Sequence, residues 1–320
     1  MSPKGQTSRL LIGVLSLTLA SLTFSTCGGT GTDLAGGGVS GTGISTGSIT
    51  SFGSVEMCGV HYLTDNNTIK MAHDENHSSE MDQVVFRVGM VVTIHHGLND
   101  NNAIKIEYQD NLQGPVAARN SNTFTVLGQT VVVDNAAVFD INEIVGVSGF
   151  VDSAGRIHAT YIERNPQSHH HGGEFEVKGF VSGLSSSGFR LGPLPDGTGA
   201  TVAVSSVGAG LANGMYVQVV TRDPQPDSGG TISATEIRQL SPRTVFPEKA
   251  MVDLEGLVTA PRTGSDNALS FAVEGKRVRT DGNTQFPVGT SGADIRPDVR
   301  VQVQGTENGG VLSAGRIIFR

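Results

Sequence analysis

Phe124-Thr125-Val126-Leu127-Gly128-Gln129-Thr130-Val131-Val132-Val133-Asp134 reads as a strand, a two-residue turn region after the glycine, and a second strand. Phe271-Ala272-Val273-Glu274-Gly275-Lys276-Arg277-Val278-Arg279-Thr280-Asp281 repeats that pattern far downstream, and Ala137-Val138-Phe139 is echoed by Thr284-Gln285-Phe286. Two further markers recur four times in the same order. One is Gly-x-Val or Gly-x-Ile at Gly47-Ser48-Ile49, Gly114-Pro115-Val116, Gly179-Phe180-Val181 and Gly256-Leu257-Val258. The other is Ala-x-x-Ile, at Ala103–Ile106, Ala159–Ile162, Ala234–Ile237 and Ala314–Ile317. Interleaved markers of this kind are the signature of an internal repeat.

Strand periodicity runs through every repeat. Val217-Gln218-Val219 and Val299-Arg300-Val301-Gln302-Val303 alternate apolar and polar residues, as half-buried strands do. Turn signals such as Asp152-Ser153-Ala154-Gly155 break the chain at short intervals, and helical periodicity is lacking. A unit of five or six short strands hides its edges most economically by closing into a small β-barrel. The 43 glycines in 320 residues suit the bulges and positive φ of tight corners. The expected fold is all-β: barrel repeats at 46–110, 111–165, 174–240 and 249–320, with a His-rich linker at 166–173 and another linker at 241–248. Units this small are marginal alone, so neighbours are expected to pack together.

The N-terminus reads as an export signal. Lys4 and Arg9 precede an apolar run, Leu10 to Phe24, that is too short to span a bilayer. Phe24-Ser25-Thr26-Cys27-Gly28-Gly29 has the small-residue pair before cysteine of a bacterial lipobox, with Phe24 and Thr26 where Leu and Gly or Ala are usual. The expectation is a signal peptide at 1–26, lipidation of Cys27 and a Gly/Ser/Thr-rich tether at 27–45. The alternative is ordinary cleavage, for instance after Ala20, giving a soluble periplasmic or secreted protein.

The run Gly47-Ser48-Ile49-Thr50-Ser51-Phe52-Gly53-Ser54-Val55, then Gly59-Val60, Val88-Gly89-Met90-Val91-Val92, Thr125 to Val131 and Ser148-Gly149-Phe150-Val151-Asp152 resemble the bacterial family called domain of unknown function 5666. The resemblance is strongest over 46–165 and weaker in the last two repeats. It implies an envelope protein of tandem OB-like barrels and brings no catalytic residues. Glu56 and Cys58 stand where an apolar residue and an Asn are commoner in that family.

Histidine is the one suggestive cluster. His61, His73, His77, His95 and His96 fall in the first repeat, and His169, His170 and His171 in the linker. The metal hypothesis is that His61, His73, His77 and His95 converge on one ion, with the triple histidine a weak second site; the competing reading is a set of solvated side chains. His95 and His96 are adjacent on a strand and must face opposite ways. Glu174 and Glu176 read as a solvated acidic pair. Phe52, Phe124, Phe139, Phe150, Phe271 and Phe286 read as core, and Cys58 as a buried small hydrophobe. No nucleophile-elbow or phosphate-loop motif is present. A net charge of −8 and the absence of Trp argue against nucleic acid as a partner. The functional expectation is therefore a non-enzymatic, lipid-anchored envelope protein without a cofactor. Its expected partners are the membrane, through the N-terminal lipid, and an envelope protein or polysaccharide. The alternatives are a periplasmic metal or small-molecule binding protein using the first-repeat histidines and, behind it, a hydrolase.

Overall fold

The computed structural model describes residues 42–320 apart from 53, 73–84, 99, 167–172, 200–201, 206–209, 224, 227–229 and 266–267. The signal segment, Cys27, the tether up to residue 41, His73, His77 and His169 to His171 lie outside the described residues. The fold is all-β. Among the described residues its only helical segments are short 3-10 turns at Ala136–Val138 and Gly292–Asp294.

The strands fall into four units. Unit one holds β1 (Thr42–Ser51), β2 (Val55–Met57), β3 (Val60–Tyr62), β4 (Ile69–Ala72), β5 (Val91–Gly97) and β6 (Ala103–Tyr108). Unit two holds β7 (Leu112–Arg119), β8 (Thr123–Val126), β9 (Gln129–Val132), β10 (Ile144–Val151) and β11 (Ile157–Arg164). Unit three holds β12 (Phe175–Ser182), β13 (Phe189–Gly192), β14 (Val202–Ser205), β15 (Tyr216–Thr221), β16 (Thr231–Ser233) and β17 (Glu236–Gln239). Unit four holds β18 (Met251–Ser265), β19 (Ala268–Val273), β20 (Lys276–Arg279), β21 (Arg300–Asn308) and β22 (Val311–Phe319).

Units two and four are closed five-stranded barrels. Their rings run β7-β8-β9-β11-β10 and β18-β19-β20-β22-β21, each returning to its first strand. Counted within the unit, the order is 1-2-3-5-4, that of an OB barrel. In unit three the fifth strand is split into β16, which pairs β14, and β17, which pairs β15. In unit one, Leu63 bridges Asn102 and β4 then runs parallel to β6.

The two repeat markers have structural meanings. In each unit the residue that ends Gly-x-Val or Gly-x-Ile (Ile49, Val116, Val181, Val258) is buried. Each donates its N–H to the carbonyl of the residue just before β5, β10, β15 or β21: Met90, Glu143, Met215 and Val299, at 2.8–3.0 Å. The alanine of Ala-x-x-Ile anchors a turn in units one and four. Thr68 Oγ1 donates to the Ala103 carbonyl at 2.9 Å, and Thr284 Oγ1 to that of Ala314 at 2.7 Å. Four two-residue hairpin turns, Cys58-Gly59, Leu127-Gly128, Glu274-Gly275 and Gly309-Gly310, have positive φ at both positions. The turn therefore sits on the glycine and the residue before it, not after it. This is the I′ geometry that matches strand twist in a two-residue hairpin.

The barrels are joined by sheet continuity. β7 pairs β12 antiparallel, linking sequence neighbours two and three. β1 pairs β18 in parallel from Gly43↔Met251 to Thr46↔Leu254, which links units one and four across some two hundred residues. Units one and two, also sequence neighbours, share no ladder among the described strands. Val91, Phe150 and Leu257 form a small core where units one, two and four meet.

Several expectations need correction. Gly43, Ile44 and Ser45, assigned to the tether, are buried in β1. Phe52 is half exposed, while Phe124, Phe139, Phe150 and Phe271 are buried and Phe286 packs partly against its core. Gln218 and Gln302, the polar members of alternating strands, are fully buried, because their face of the sheet meets another unit and not water.

A β-bulge interrupts β10 at Ser148/Gly149 and β21 at Gln304/Gly305. A Cβ on Gly149 would lie 2.2 Å from the His158 carbonyl oxygen, so the strands cannot close around a side chain there. Gly149→Ala is expected to destabilise the protein by about 1–3 kcal/mol in urea denaturation, whereas Gly282→Ala, which meets open space, should stay within about 0.5 kcal/mol of the parent.

Candidate functional site at the barrel junction

Buried charge lies inside single units, as with Asp152 beside Arg156 and His158 and Lys276 beside Glu307, and in three clusters at the seams. At the seam of units two and three, the fully buried Lys178 ammonium donates to Asp110 and, at 2.5 Å, to Glu176, and Gln218 donates to the other Glu176 oxygen. Glu176 is thus a buried ion-pair member, not part of a solvated acidic pair; Glu174 alone meets a mostly exposed Arg222. At the seam of units one and four, Glu255 accepts from the Ser48 N–H at 3.0 Å and pairs with Arg300 at 2.9 Å. The Arg300 guanidinium also lies 4.9 Å from the Phe150 ring centroid of unit two.

The third cluster lies where units two, three and four converge with the segment 241–248. Glu274 Oε1 accepts from the N–H groups of Val151 (2.9 Å) and Leu257 (3.3 Å), while Oε2 lies 3.4 Å from Arg243. Arg243 also donates to the Gly149 carbonyl at 2.6 Å. The segment expected to be a mere linker is therefore a staple. Asn111, Lys178, Tyr216, Arg243 and Glu274 line a shared cavity of about 30 Å³. That volume takes a water molecule or two and no organic ligand.

Burial pushes the Glu274 carboxyl up to about 7, against the opposing pull of Arg243 and the two backbone donors. Burial likewise raises Asp253 to about 6, although Gln302 and Gln304 donate to its Oδ2. Asp253 Oδ1 has no hydrogen-bond partner among the described residues, which fits a group drawn toward its neutral form. The hydroxyl of Tyr62 donates to Ser45 at 2.7 Å, and burial holds its pKa well above the usual phenol range. His96 packs tilted against Tyr62 with centroids 5.1 Å apart, approaches Ser45 Oγ at 3.1 Å, and is pulled below its ordinary pKa by burial.

The structure gives the remaining histidines separate partners. His95 Nε2 lies 2.6 Å from Glu107, and the largely exposed His61 lies 3.9 Å from Glu56. His95 and His96 take different partners, as adjacent strand residues must. Among the described residues no three of His, Cys, Asp and Glu are grouped as a metal site. His61 and His95 each have a carboxylate of a neighbouring strand beside them, and His73 and His77, the other two of the expected set, lie outside the described residues. Cys58 is a free, buried thiol whose pKa is raised by burial and by the nearby Asp253 and Glu255.

Sequence reasoning missed Glu274, Arg243, Asp253 and Lys178. A signal existed: each carboxylate or ammonium that ended up buried interrupts or abuts a valine- or leucine-rich strand, as in Val252-Asp253-Leu254-Glu255.

A joined set of OB-like barrels with charged seams is the class this fold defines. The family model described as Domain of unknown function (DUF5666) matches residues 113–163 and 255–318, the two closed barrels. Two separate regions of the chain are thus similar to this family, in tandem. The match corrects the expectation that the resemblance fades in the last repeat. Unit one lies outside the matched segments; it differs from the closed barrels by β4 and by the long stretch that separates β4 from β5. No curated protein matches the chain.

Two outcomes test these environments. A carboxyl whose folded pKa lies above its unfolded value binds its proton more tightly when folded. Glu274 and Asp253 should therefore make stability fall as pH rises from about 4.5 through 7, where the unfolded chain has already lost the protons. Glu274→Gln should flatten part of that slope, by up to a few kcal/mol across the window, in denaturation series at stepped pH. Cys58 should resist a thiol reagent in the native protein and react at once in denaturant, as mass analysis would read; rapid native labelling would contradict its burial.

Proposed function

We propose that the chain is a non-enzymatic, lipid-anchored cell-envelope protein whose joined barrels present a binding or scaffolding surface to envelope proteins or glycans. The observation that carries this reading is the placement of the buried charge at the seams. Lys178 of unit three reaches Asp110 ahead of unit two, the Glu255–Arg300 pair of unit four takes Ser48 of unit one, and Arg243 of the segment 241–248 reaches Glu274 of unit four and the Gly149 carbonyl of unit two. Groups that could line a reactive cleft serve instead to fix the barrels relative to one another. The junction cavity, at about 30 Å³, has the size of a hydration site.

The export reading of residues 1–26 and the cysteine at position 27 supply the anchor. Several acyl chains on one N-terminus hold a protein to a membrane far better than one chain does. Cys27→Ser is expected to move the protein from the membrane fraction to the soluble fraction and to remove the acyl mass from the mature N-terminus. Crosslinking in intact cells, followed by mass spectrometry of the recovered anchored protein, should yield a reproducible envelope protein or polysaccharide. Crosslinks to lipids and abundant bystanders alone would overturn the binding-arm reading in favour of a small-ligand role.

A further inference from the structure

Seven of the twelve exposed large hydrophobic residues among those described belong to unit one. Four of them, with Met251 of unit four, gather at one end. Thr42, where β1 begins, pairs with Gly97, and Leu98 follows directly. Gly43 pairs with Met251 on its other side. His96 pairs with Ala103, so Ile104 stands at the same end of β6. Leu63 bridges Asn102, and Ile69 pairs Lys105. These five side chains are between 39% (Leu98) and 58% (Leu63) exposed. Exposed apolar side chains collected at one end of a sheet mark a place of contact.

The patch surrounds the point where the chain from Cys27 reaches the first barrel. Fifteen residue steps separate Cys27 from Thr42, so even a fully extended chain spans at most about 50 Å. We propose that this end of the molecule is a lipid-facing surface that rests on the leaflet holding the anchor, with Leu63, Leu98, Ile104 and Met251 reaching the acyl boundary. The proposal rests on the anchored reading of Cys27 and deepens it by naming the surface that meets the membrane. The charges at this end suit a neutral lipid. Asp65 and Asp100 accept from their own turns, at Asn67 N (2.8 Å) and Asn102 N (3.1 Å), and Lys105 pairs with Glu107 at 2.7 Å. No cationic cluster calls for an anionic headgroup among these residues.

The chain has no Trp, so a single introduced indole reports on its own position. The mature chain from Cys27 onward would be coupled through the Cys27 thiol to a maleimide lipid in phosphatidylcholine vesicles; Cys58 is buried and does not compete. In this setting Ile104→Trp should shift its emission to the blue and be quenched about twofold or more by acyl-brominated phosphatidylcholine. Val288→Trp, at a fully exposed site in unit four, should show neither effect. Leu98→Trp repeats the measurement if Ile104→Trp does not fold. Emission and quenching equal to those of Val288→Trp would overturn the proposal. So would a blue shift without quenching that grows with protein density, because a second copy would then cover the patch. Mass analysis of the native N-terminus decides separately whether cells acylate Cys27, so failure of the anchored reading and failure of the lipid-facing surface remain distinguishable.

Discussion

Everything in this fold depends on the first strand of each unit serving two sheets in succession. Its first half pairs with the first strand of another unit, as Gly43 to Thr46 do with Met251 to Leu254 and Leu112-Gln113 with Val177-Glu176. Its second half pairs with the second strand of its own barrel. The switch falls at the glycine of the Gly-x-Val marker. A Cβ on Gly256 would lie 2.3 Å from Glu274, and one on Gly47 would lie 2.7 Å from Glu255. The glycine is the place where a hairpin turn or a partner strand crosses the strand closely, which a side chain would forbid.

That geometry decides where the charges go. A strand end shared between barrels has one face on a barrel core and the other on a second barrel. Residues that alternate away from the core are therefore buried as well. Lys178, Glu176 and Glu255 are buried for this reason, and each meets a charged or hydrogen-bonding partner. Desolvation costs several kcal/mol per ion, so such clusters add little net stability, while removing one partner would leave an uncompensated buried charge. Glu274 and Asp253, with weaker compensation, are drawn toward their neutral forms.

The barrel itself was legible from particular residues. Leu127-Gly128 and Glu274-Gly275 announced hairpins, the four Gly-x-Val or Gly-x-Ile sites marked the repeat, and the alternating valines marked core faces. The candidate site was not legible, because a polar residue alternating with valine looks the same whether its face meets water or another protein surface. Gln302 and Gln218 read as solvent-facing for that reason. The segment 241–248 read as a linker because Arg243 has its partners, Gly149 and Glu274, far away in the chain.

By itself the sequence determined the local grammar of this protein: short strands, glycine turns and a unit that repeats, because each of these rests on neighbours within a few residues. The tertiary structure alone decided that unit one pairs with unit four, that a linker arginine holds the centre, and that five of the twelve exposed large apolar side chains stand at the end where the chain enters the first barrel. Pairing across some two hundred residues leaves no period in the sequence. Its energy comes from backbone hydrogen bonds and buried area that exist only once both surfaces have formed.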